Sequence, residues 1–206
     1  MPRAEVGVFL SILLSTAWTP AATAHPLATV TTTVDGAASM TVQPGQPVAI
    51  AVRISHNAFH FAGIAGGTKV TDNAGLASNF STTIPALPTV NFGAFVGGSR
   101  VGAEIVAMPP GFIGAVTPPF MFNPMPVWTY SLRLDDPGVY TINWVPTAQM
   151  PNVRLYQAIS SFTSVEAQTT YTGATITVLP APASLTLLAL SPITTRRRRR
   201  VAIRGL

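Results

Sequence analysis

Cysteine is absent from this sequence, so no disulfide bond can stabilise its fold. An exported domain without disulfides must obtain its stability from a hydrophobic core. Residues 25–178 lie between two unusual end segments and have the length of an ordinary single domain, which buries roughly 68–70% of its unfolded surface. The sequence therefore predicts one domain that folds without covalent cross-links.

Charged residues are scarce as well, at 9% of the chain. The formal net charge of +5 comes from the C-terminal end, where the last eleven residues hold six arginines. Residues 25–178 hold five lysines and arginines and six acidic residues, and five minus six gives −1. Five scattered cations form no basic stripe that neutralises phosphates, so we expect no nucleic-acid partner.

Groups that bind metals or cofactors are few. His56 and His60 are four residues apart in SHNAFHF, and on one strand they would be about 13 Å apart at about 3.3 Å per residue. No further ligands complete a metal pattern around them. Asp135 and Asp136 precede Pro137, a combination typical of a turn. We therefore predict no metal site and no cofactor.

Catalytic groups are equally sparse. The sequence has no G-x-S-x-G nucleophile motif and no cysteine nucleophile. A glycosidase requires two facing carboxylates, and residues 25–178 contain only six acidic residues. Glu104 and Glu166 remain open as such a pair, although nothing in the pattern singles them out. We predict a protein that is not an enzyme, and a hydrolase with an unrecognised site is the third alternative.

Helical patterns are also missing from residues 25–178, where apolar and polar residues alternate instead. The apolar positions of three such segments are Val48, Ile50, Val52 and Ile54, then Trp128, Tyr130, Leu132 and Leu134, and then Tyr140, Ile142 and Trp144. Several short strands separated by turns predict an all-β fold. We expect a single antiparallel β-sandwich of immunoglobulin-like, cohesin-like or jelly-roll type.

Turn residues separate the predicted strands. Asp35-Gly36 fits a two-residue hairpin that requires positive φ. Pro44-Gly45 and Pro137-Gly138 place proline and glycine at the centre of a type II turn, and an alternating segment follows each. Residues 62–80 are rich in glycine and alanine and predict a loop with a short strand. Six prolines between residues 109 and 126 predict a long loop or edge cover, because proline cannot donate to a strand ladder.

The first 24 residues have the order of parts found in a secretory signal peptide. Arg3 supplies a positive charge, and the apolar run at 6–14 is much shorter than the ~20 residues of a membrane-spanning helix. Small residues then lead to the A-x-A motif at 22–24, directly before His25. We therefore expect export and removal of residues 1–24.

The last 28 residues, 179–206, combine a proline-rich start, a short apolar stretch and an arginine cluster. Residues 183–195 would reach about 20 Å as a helix, whereas the hydrocarbon core of a bilayer is about 30 Å thick. Positive charge after an apolar segment is retained on the cytoplasmic side, so the arginines would halt translocation. A disordered basic tail is the alternative.

This order of parts resembles the PEP-CTERM sorting signal of Gram-negative bacteria. The matching positions are Pro180, Ala181, Pro182, Arg196, Arg197, Arg198, Arg199 and Arg200. Ala181 stands where that family has glutamate, Pro192 interrupts the apolar stretch, and six further residues follow the arginines. The resemblance implies processing by an exosortase-type enzyme, transient membrane contact through the tail, and a producer that secretes exopolysaccharide.

A second resemblance involves turn and core positions of the central domain. The patterns V-x-P-G-x-x-V, FAG and W-x-Y-x-L-x-L-x-x-P-G-x-Y-x-I, which begin at Val42, Phe61 and Trp128, are similar to those of cohesin-type and related carbohydrate-binding sandwiches. Any sandwich can share such positions. The resemblance therefore implies a fold and carries no functional residues across.

Aromatic residues in and beside the proline-rich segment are the best candidates for a ligand site. They are Phe112, Phe120, Phe122 and Trp128. Exposed rings on a rigid loop could stack on sugar faces. The alternative is that they cap one end of the core, since apolar side chains are mostly inside.

These observations predict an exported, non-enzymatic protein at the cell surface or in the extracellular matrix. Residues 1–24 would be the signal peptide, 25–178 the β-sandwich domain and 179–206 the sorting tail. The PEP-CTERM resemblance implies a structural or adhesive role in extracellular polysaccharide or biofilm. The alternative function is that of a carbohydrate-binding module that uses the aromatic residues named above.

Overall fold

A computed structural model describes residues 25–58, 60–108, 122–157 and 163–180. The predicted signal peptide lies outside these residues. So do Phe112 and Phe120 of the predicted aromatic site, and Ala181, Pro182 and Arg196 to Arg200 of the predicted sorting signal.

The described residues form two sheets. The five-stranded sheet contains, in spatial order, β13 (Gln168–Thr172), β1 (Leu27–Val34), β3 (Pro47–His56), β9 (Met125–Arg133) and β5 (Leu76–Ser81). The nine-stranded sheet contains β12 (Ser164–Glu166), β11 (Arg154–Tyr156), β4 (His60–Val70), β10 (Gly138–Pro146), β14 (Ala174–Val178) and β2 (Ser39–Val42). On the other edge of β4 the sheet continues with β8 (Ser99–Val106), which pairs with β6 (Val90–Asn91) and β7 (Ala94–Val96). A short 3-10 turn, Thr71–Asn73, follows β4.

The predicted all-β sandwich is confirmed. Most strand pairs are antiparallel, as expected, but β1 pairs in parallel with β13 and β14 pairs in parallel with β2. The sheets are therefore mixed. The parallel pairs arise because β13 and β14 are consecutive parts of one C-terminal stretch that runs first along β1 and then along β2.

The core lies between the sheets and is built from the alternating positions. The predicted inward residues of β3 are buried, and so are the four predicted on and directly after β9, from Trp128 to Leu134. On β10, Ile142 and Trp144 are buried, while Tyr140 is half-buried and packs against the core. Among the described residues, the core cluster extends from Ala28 to Val178.

Two of the three predicted turns are confirmed. Asp35 and Gly36 both have positive φ, and Val34 and Ala37 exchange hydrogen bonds across them. Gly45 has a φ of 77°, and Gln46 donates its N–H to the carbonyl of Gln43, which closes a type II turn.

The type II turn predicted at Pro137-Gly138 is wrong. Gly138 is not among the described glycines with positive φ. It is the first residue of β10 and pairs with Val178 of β14. The ladder therefore keeps this glycine extended.

The prediction of a loop for residues 62–80 is also wrong in part. Residues 60–70 form β4, an eleven-residue strand that pairs with β8 on one edge and with β10 and β11 on the other. Ten of its eleven residues are buried. The strand has glycine and alanine at positions where a half-buried strand usually has polar residues, so it does not show the alternation that identifies such strands.

Candidate functional site

The outer face of the nine-stranded sheet carries four adjoining depressions of about 180 to 310 Å³ each, where β8, β4 and β10 lie side by side. Glu104 lines both the first and the second. Gly102 and Thr147 line the second and the third, and Lys69 and Val145 line the third and the fourth. The depressions therefore form one continuous trough, which these five residues define.

Glycines make the trough possible. A Cβ on Gly67 would lie 2.0 Å from the carbonyl oxygen of Arg100, which shows how closely β4 and β8 approach here. At Gly66, φ is 153° and a Cβ would lie 2.4 Å from the carbonyl oxygen of Val145. The pairing of β4 with β8 shifts register between Gly66 and Thr68. No other residue type fits at Gly66 and Gly67, so the floor has no side chains.

The trough is apolar at its centre and charged at its ends. Val101 and Val145 face each other across the glycine floor, with 40% and 47% of their surfaces exposed. Glu104 lies toward one end, Lys69 and Asp72 lie toward the other, and all three are exposed. None of the three takes part in an ion pair among the described residues. An apolar strip with charged residues at both ends is suited to binding another molecule.

A buried arginine supports this part of the sheet from below. Arg100 is 7% exposed, and its guanidinium carbon lies 3.6 Å from the ring centre of Phe80 and 4.6 Å from that of Phe95. Its Nε donates to the carbonyl of Phe92 at 2.6 Å, and a terminal nitrogen donates to that of Gly93. Burial lowers the pKa of Arg100, and the Coulombic interaction with Tyr130 acts in the opposite direction. Arg100 thus fastens the connection between β6 and β7 to β8 without a carboxylate partner.

Two tryptophans join the sheets under the trough. The rings of Trp128 on β9 and Trp144 on β10 are 5.2 Å apart. The indole N–H of Trp128 donates to Thr68 Oγ1 at 3.2 Å, whereas that of Trp144 is buried without a hydrogen-bond partner. The two rings therefore contribute similar apolar packing but differ in how their polar atoms are satisfied.

The predicted aromatic site is described at two positions. Phe122 is 55% exposed, but Trp128 is 2% exposed because it points inward from β9. Trp128 therefore fits the alternative that these aromatic side chains pack into the core, and its ring cannot reach a surface ligand. The two described candidates therefore do not share a surface.

The two histidines do not lie on one strand, as the spacing argument assumed. His56 ends β3 in the five-stranded sheet, and His60 begins β4 in the nine-stranded sheet. No group of three or more His, Cys, Asp or Glu side chains in the described parts of the chain is placed to hold a metal ion.

The carboxylates left open as a catalytic pair are well separated. Glu104 lies on β8 and Glu166 on β12, with β4 and β11 between them. Three strand spacings amount to about 14 Å, whereas glycosidase carboxylates are about 5–9.5 Å apart. Glu166 is directed to Arg154, at 4.0 Å.

Sequence reasoning did not identify the trough. Its walls are valines and threonines at the outward positions of strands, which resemble any sheet surface. The usable signal was Gly66-Gly67 inside an apolar stretch, because glycine within a strand often marks a bulge or a close backbone approach.

Comparison with known proteins gives a fold. No family model matches the chain, and no curated protein matches it in sequence. The seventh ScaB type I cohesin from Pseudobacteroides cellulosolvens superposes with a TM-score of 0.51 over 76% of this chain and 96% of that domain, at 13% identity. The body shares the fold of a type I cohesin.

Other cohesin structures are similar at lower scores. The superposition with the CaCohA2 domain of Clostridium acetobutylicum covers 75% of this chain and 93% of that domain, at 10% identity and a TM-score of 0.47. The superposition with a chain of a type I cohesin–dockerin complex from Clostridium thermocellum covers 73% of this chain and 99% of that chain, at 8% identity and a TM-score of 0.49. The similarity to the ScaB cohesin confirms, as a fold, the cohesin-like sandwich expected from the sequence patterns. Within the described residues, no helix is long and apolar enough to cross a membrane.

Proposed function

We propose that this chain is an exported, non-enzymatic module with a structural or adhesive role, and that it binds a partner protein through the trough. The observation that carries the proposal is the continuity of four depressions over an apolar floor with Lys69 and Glu104 toward opposite ends.

The chemistry of a sheet face limits the kind of partner. Both edges of β4 are paired with neighbouring strands along the trough, so its backbone groups are already hydrogen-bonded. A segment that buries its own backbone there must satisfy its hydrogen bonds internally. An amphipathic helix does so, and its apolar stripe would contact Val101 and Val145.

Length and charge fit this partner. From Ala65 to Val70 the trough follows β4 for five residues, or about 17 Å, which equals about three helical turns. The partner helix would carry a basic residue near Glu104, because it would pair a carboxylate that is unpaired in the free protein.

Other functions have less support among the described residues. Phe122 is the one exposed aromatic side chain there, and a single ring makes a poor sugar platform. The separation of Glu104 and Glu166 disfavours glycoside hydrolysis.

The experiment is site-specific photo-crosslinking in cultures of the producing cells. A crosslinking side chain replaces Val145 in the trough, and a matched control replaces Thr31 on the outer face of the five-stranded sheet. We expect the Val145 probe alone to capture one exported protein, through a segment with helical apolar spacing. Capture by both probes, capture of glycan, or no captured protein would each contradict the proposal.

We further propose that the C-terminal segment retains the protein at the cell envelope through exosortase-type processing, within an extracellular polysaccharide matrix. The support is the order of Pro180, Ala181 and Pro182 before the arginine cluster. Replacing Arg196 to Arg200 with serine should release unprocessed protein into the medium, while replacement with lysine should preserve retention by charge. A serine variant that is sorted and processed like the parent would contradict this part.

A further inference from the structure

One end of the sandwich is closed by two histidines, one from each sheet. His56 is the last residue of β3 and His60 is the first of β4, and a three-residue connection joins the two strands. His56 is partly buried, and His60 is 8% exposed. Two of the three histidines in the chain therefore lie at the connection between the five-stranded and nine-stranded sheets.

Both rings have a nitrogen that is buried without a hydrogen-bond partner. His56 Nδ1 lies 2.8 Å from the carbonyl oxygen of Ala58, so this nitrogen carries the proton and donates. The lone pair is then on His56 Nε2, which is buried and unpaired, as is Nδ1 of His60. Protonation would place positive charge on rings that have no acceptor ready to receive the additional N–H.

The pair lies beside the attachment points of two neighbouring segments. The side chain of Asn123 accepts a hydrogen bond from the His56 N–H at 3.1 Å and donates one to the His56 carbonyl at 2.5 Å. Tyr156, which is opposite His60 in the ladder, donates its hydroxyl to the carbonyl of Ala107 at 2.9 Å. Segments 107–108 and 122–124 are thus held through the residues that carry or face the two rings.

No acidic group compensates for charge on the pair. The ionisable groups on the packed elements are Arg53 on β3, Lys69 on β4, Arg100 and Glu104 on β8, Tyr130 and Arg133 on β9, Tyr140 on β10, Arg154 and Tyr156 on β11, and Glu166 on β12. Of the two carboxylates, Glu104 is opposite Ala65, five residues along β4 from His60, and Glu166 is directed to Arg154. Strand β1 has no charged residue.

We propose that His56 and His60 form a pH-sensitive closure of this end of the sandwich, which opens segments 107–108 and 122–124 on acidification while the rest of the fold stays intact. Neutral imidazoles pack between the sheets, whereas two imidazolium groups repel each other and require water. Because the closed form offers no acceptor for the additional N–H groups, the charged rings can be hydrated only when the segments open.

The sign of the effect follows from proton linkage. Burial lowers the pKa of His56, the bond with Ala58 raises it, and the charge of His60 lowers it. Burial also lowers the pKa of His60. The open form has the ordinary pKa of 6.5 and binds more protons, so the closed form is most stable above pH 6.5 and weakens as the pH falls below that value. The opening equilibrium should rise up to about tenfold per pH unit for each histidine, and about a hundredfold for both.

Hydrogen exchange of the full chain tests the proposal. Exchange of the amides of residues 107, 108, 122 and 123 is compared between the parent and the double variant His56→Gln/His60→Gln, at the same pH and over pH 5 to 8. We expect the opening equilibrium of the parent to rise steeply below pH 6.5 and that of the variant to stay flat. His25→Gln, the matched control at the remaining histidine, should behave like the parent.

Ring titration by NMR gives a test that needs no variant. His56 and His60 should titrate below 6.5, and opening should follow the same curve. A pKa at or above 6.5 for either ring would overturn the proposal, as would equal pH dependence in the parent and the double variant. An acid transition that exchanges the whole core together would overturn it too, because the pair would then affect only global stability.

Discussion

The two sheets contribute to one core but have different outer faces. In the five-stranded sheet, β1 and β3 pair over seven consecutive residues without a shift, and Thr29, Thr31 and Thr33 project outward in a regular row. In the nine-stranded sheet, the pairing of β4 with β8 shifts at Gly66-Gly67, and the surface becomes concave. The continuous ladder of β1 and β3 therefore keeps a side chain at each outward position. Two glycines that allow a close backbone approach give a trough.

The largest expected loss of stability comes from replacing Gly67, which allows the close approach of β4 and β8 at the trough. Gly67→Ala places a Cβ 2.0 Å from a carbonyl oxygen of the neighbouring strand, and a backbone atom cannot move away cheaply. We expect a loss of about 3 kcal/mol or more in the free energy of unfolding, measured by urea denaturation. Gly138→Ala is the control, because its Cβ would meet only Tyr140 at 3.4 Å and should change stability by less than about 1 kcal/mol. Equal effects of the two substitutions would show that the close approach is not needed.

The second effect compares an arginine beneath the trough with one on the opposite sheet. Arg100→Met removes the cation that stacks on Phe80 and leaves the carbonyls of Phe92 and Gly93 without their donor. The expected loss is about 2–3 kcal/mol. Arg53→Met, at an exposed position of β3, should change stability by less than about 0.5 kcal/mol. If thermal melts show the same loss of stability for Arg100→Met and Arg53→Met, the buried arginine is not a structural support.

A smaller difference separates the two tryptophans that join the sheets. Trp128→Phe loses the hydrogen bond that the buried indole N–H donates to Thr68, whereas Trp144→Phe removes an N–H that has no partner. Both substitutions lose a similar volume. We expect Trp128→Phe to be less stable than Trp144→Phe by about 1 kcal/mol in denaturant unfolding. A lower stability of Trp144→Phe than of Trp128→Phe would contradict the assignment of a hydrogen bond to the indole N–H of Trp128 and of none to that of Trp144.

Strand β3 shows why much of the fold could be predicted. Val48, Ile50, Val52 and Ile54 alternate because one face of the strand meets the core and the other meets water. The same logic identified β9 and β10. It failed for β4, where glycine and alanine take the places of polar residues, so that the alternation is lost and the segment resembled a loop.

The candidate site could not be predicted in the same way. The trough depends on which strands become neighbours, and the pairing of β4 with β8 and β10 is a tertiary property that local patterns do not encode. Trp128 illustrates the converse case. Its position beside a proline-rich segment suggested a surface ring, but its place in the alternation of β9 puts it in the core.

The measurement that tests the central claim most directly is the affinity of the crosslinked partner for two charge variants. Val101→Glu introduces a carboxylate into the apolar part of the trough, and Thr31→Glu introduces one on the outer face of the five-stranded sheet. Both variants should melt like the parent because both sites are on the surface. We predict that Val101→Glu weakens binding at least about a hundredfold, since an unpaired charge would be buried against the partner. Thr31→Glu should bind like the parent. Unchanged binding by Val101→Glu would contradict the account, because the trough would then not be the surface that the partner contacts.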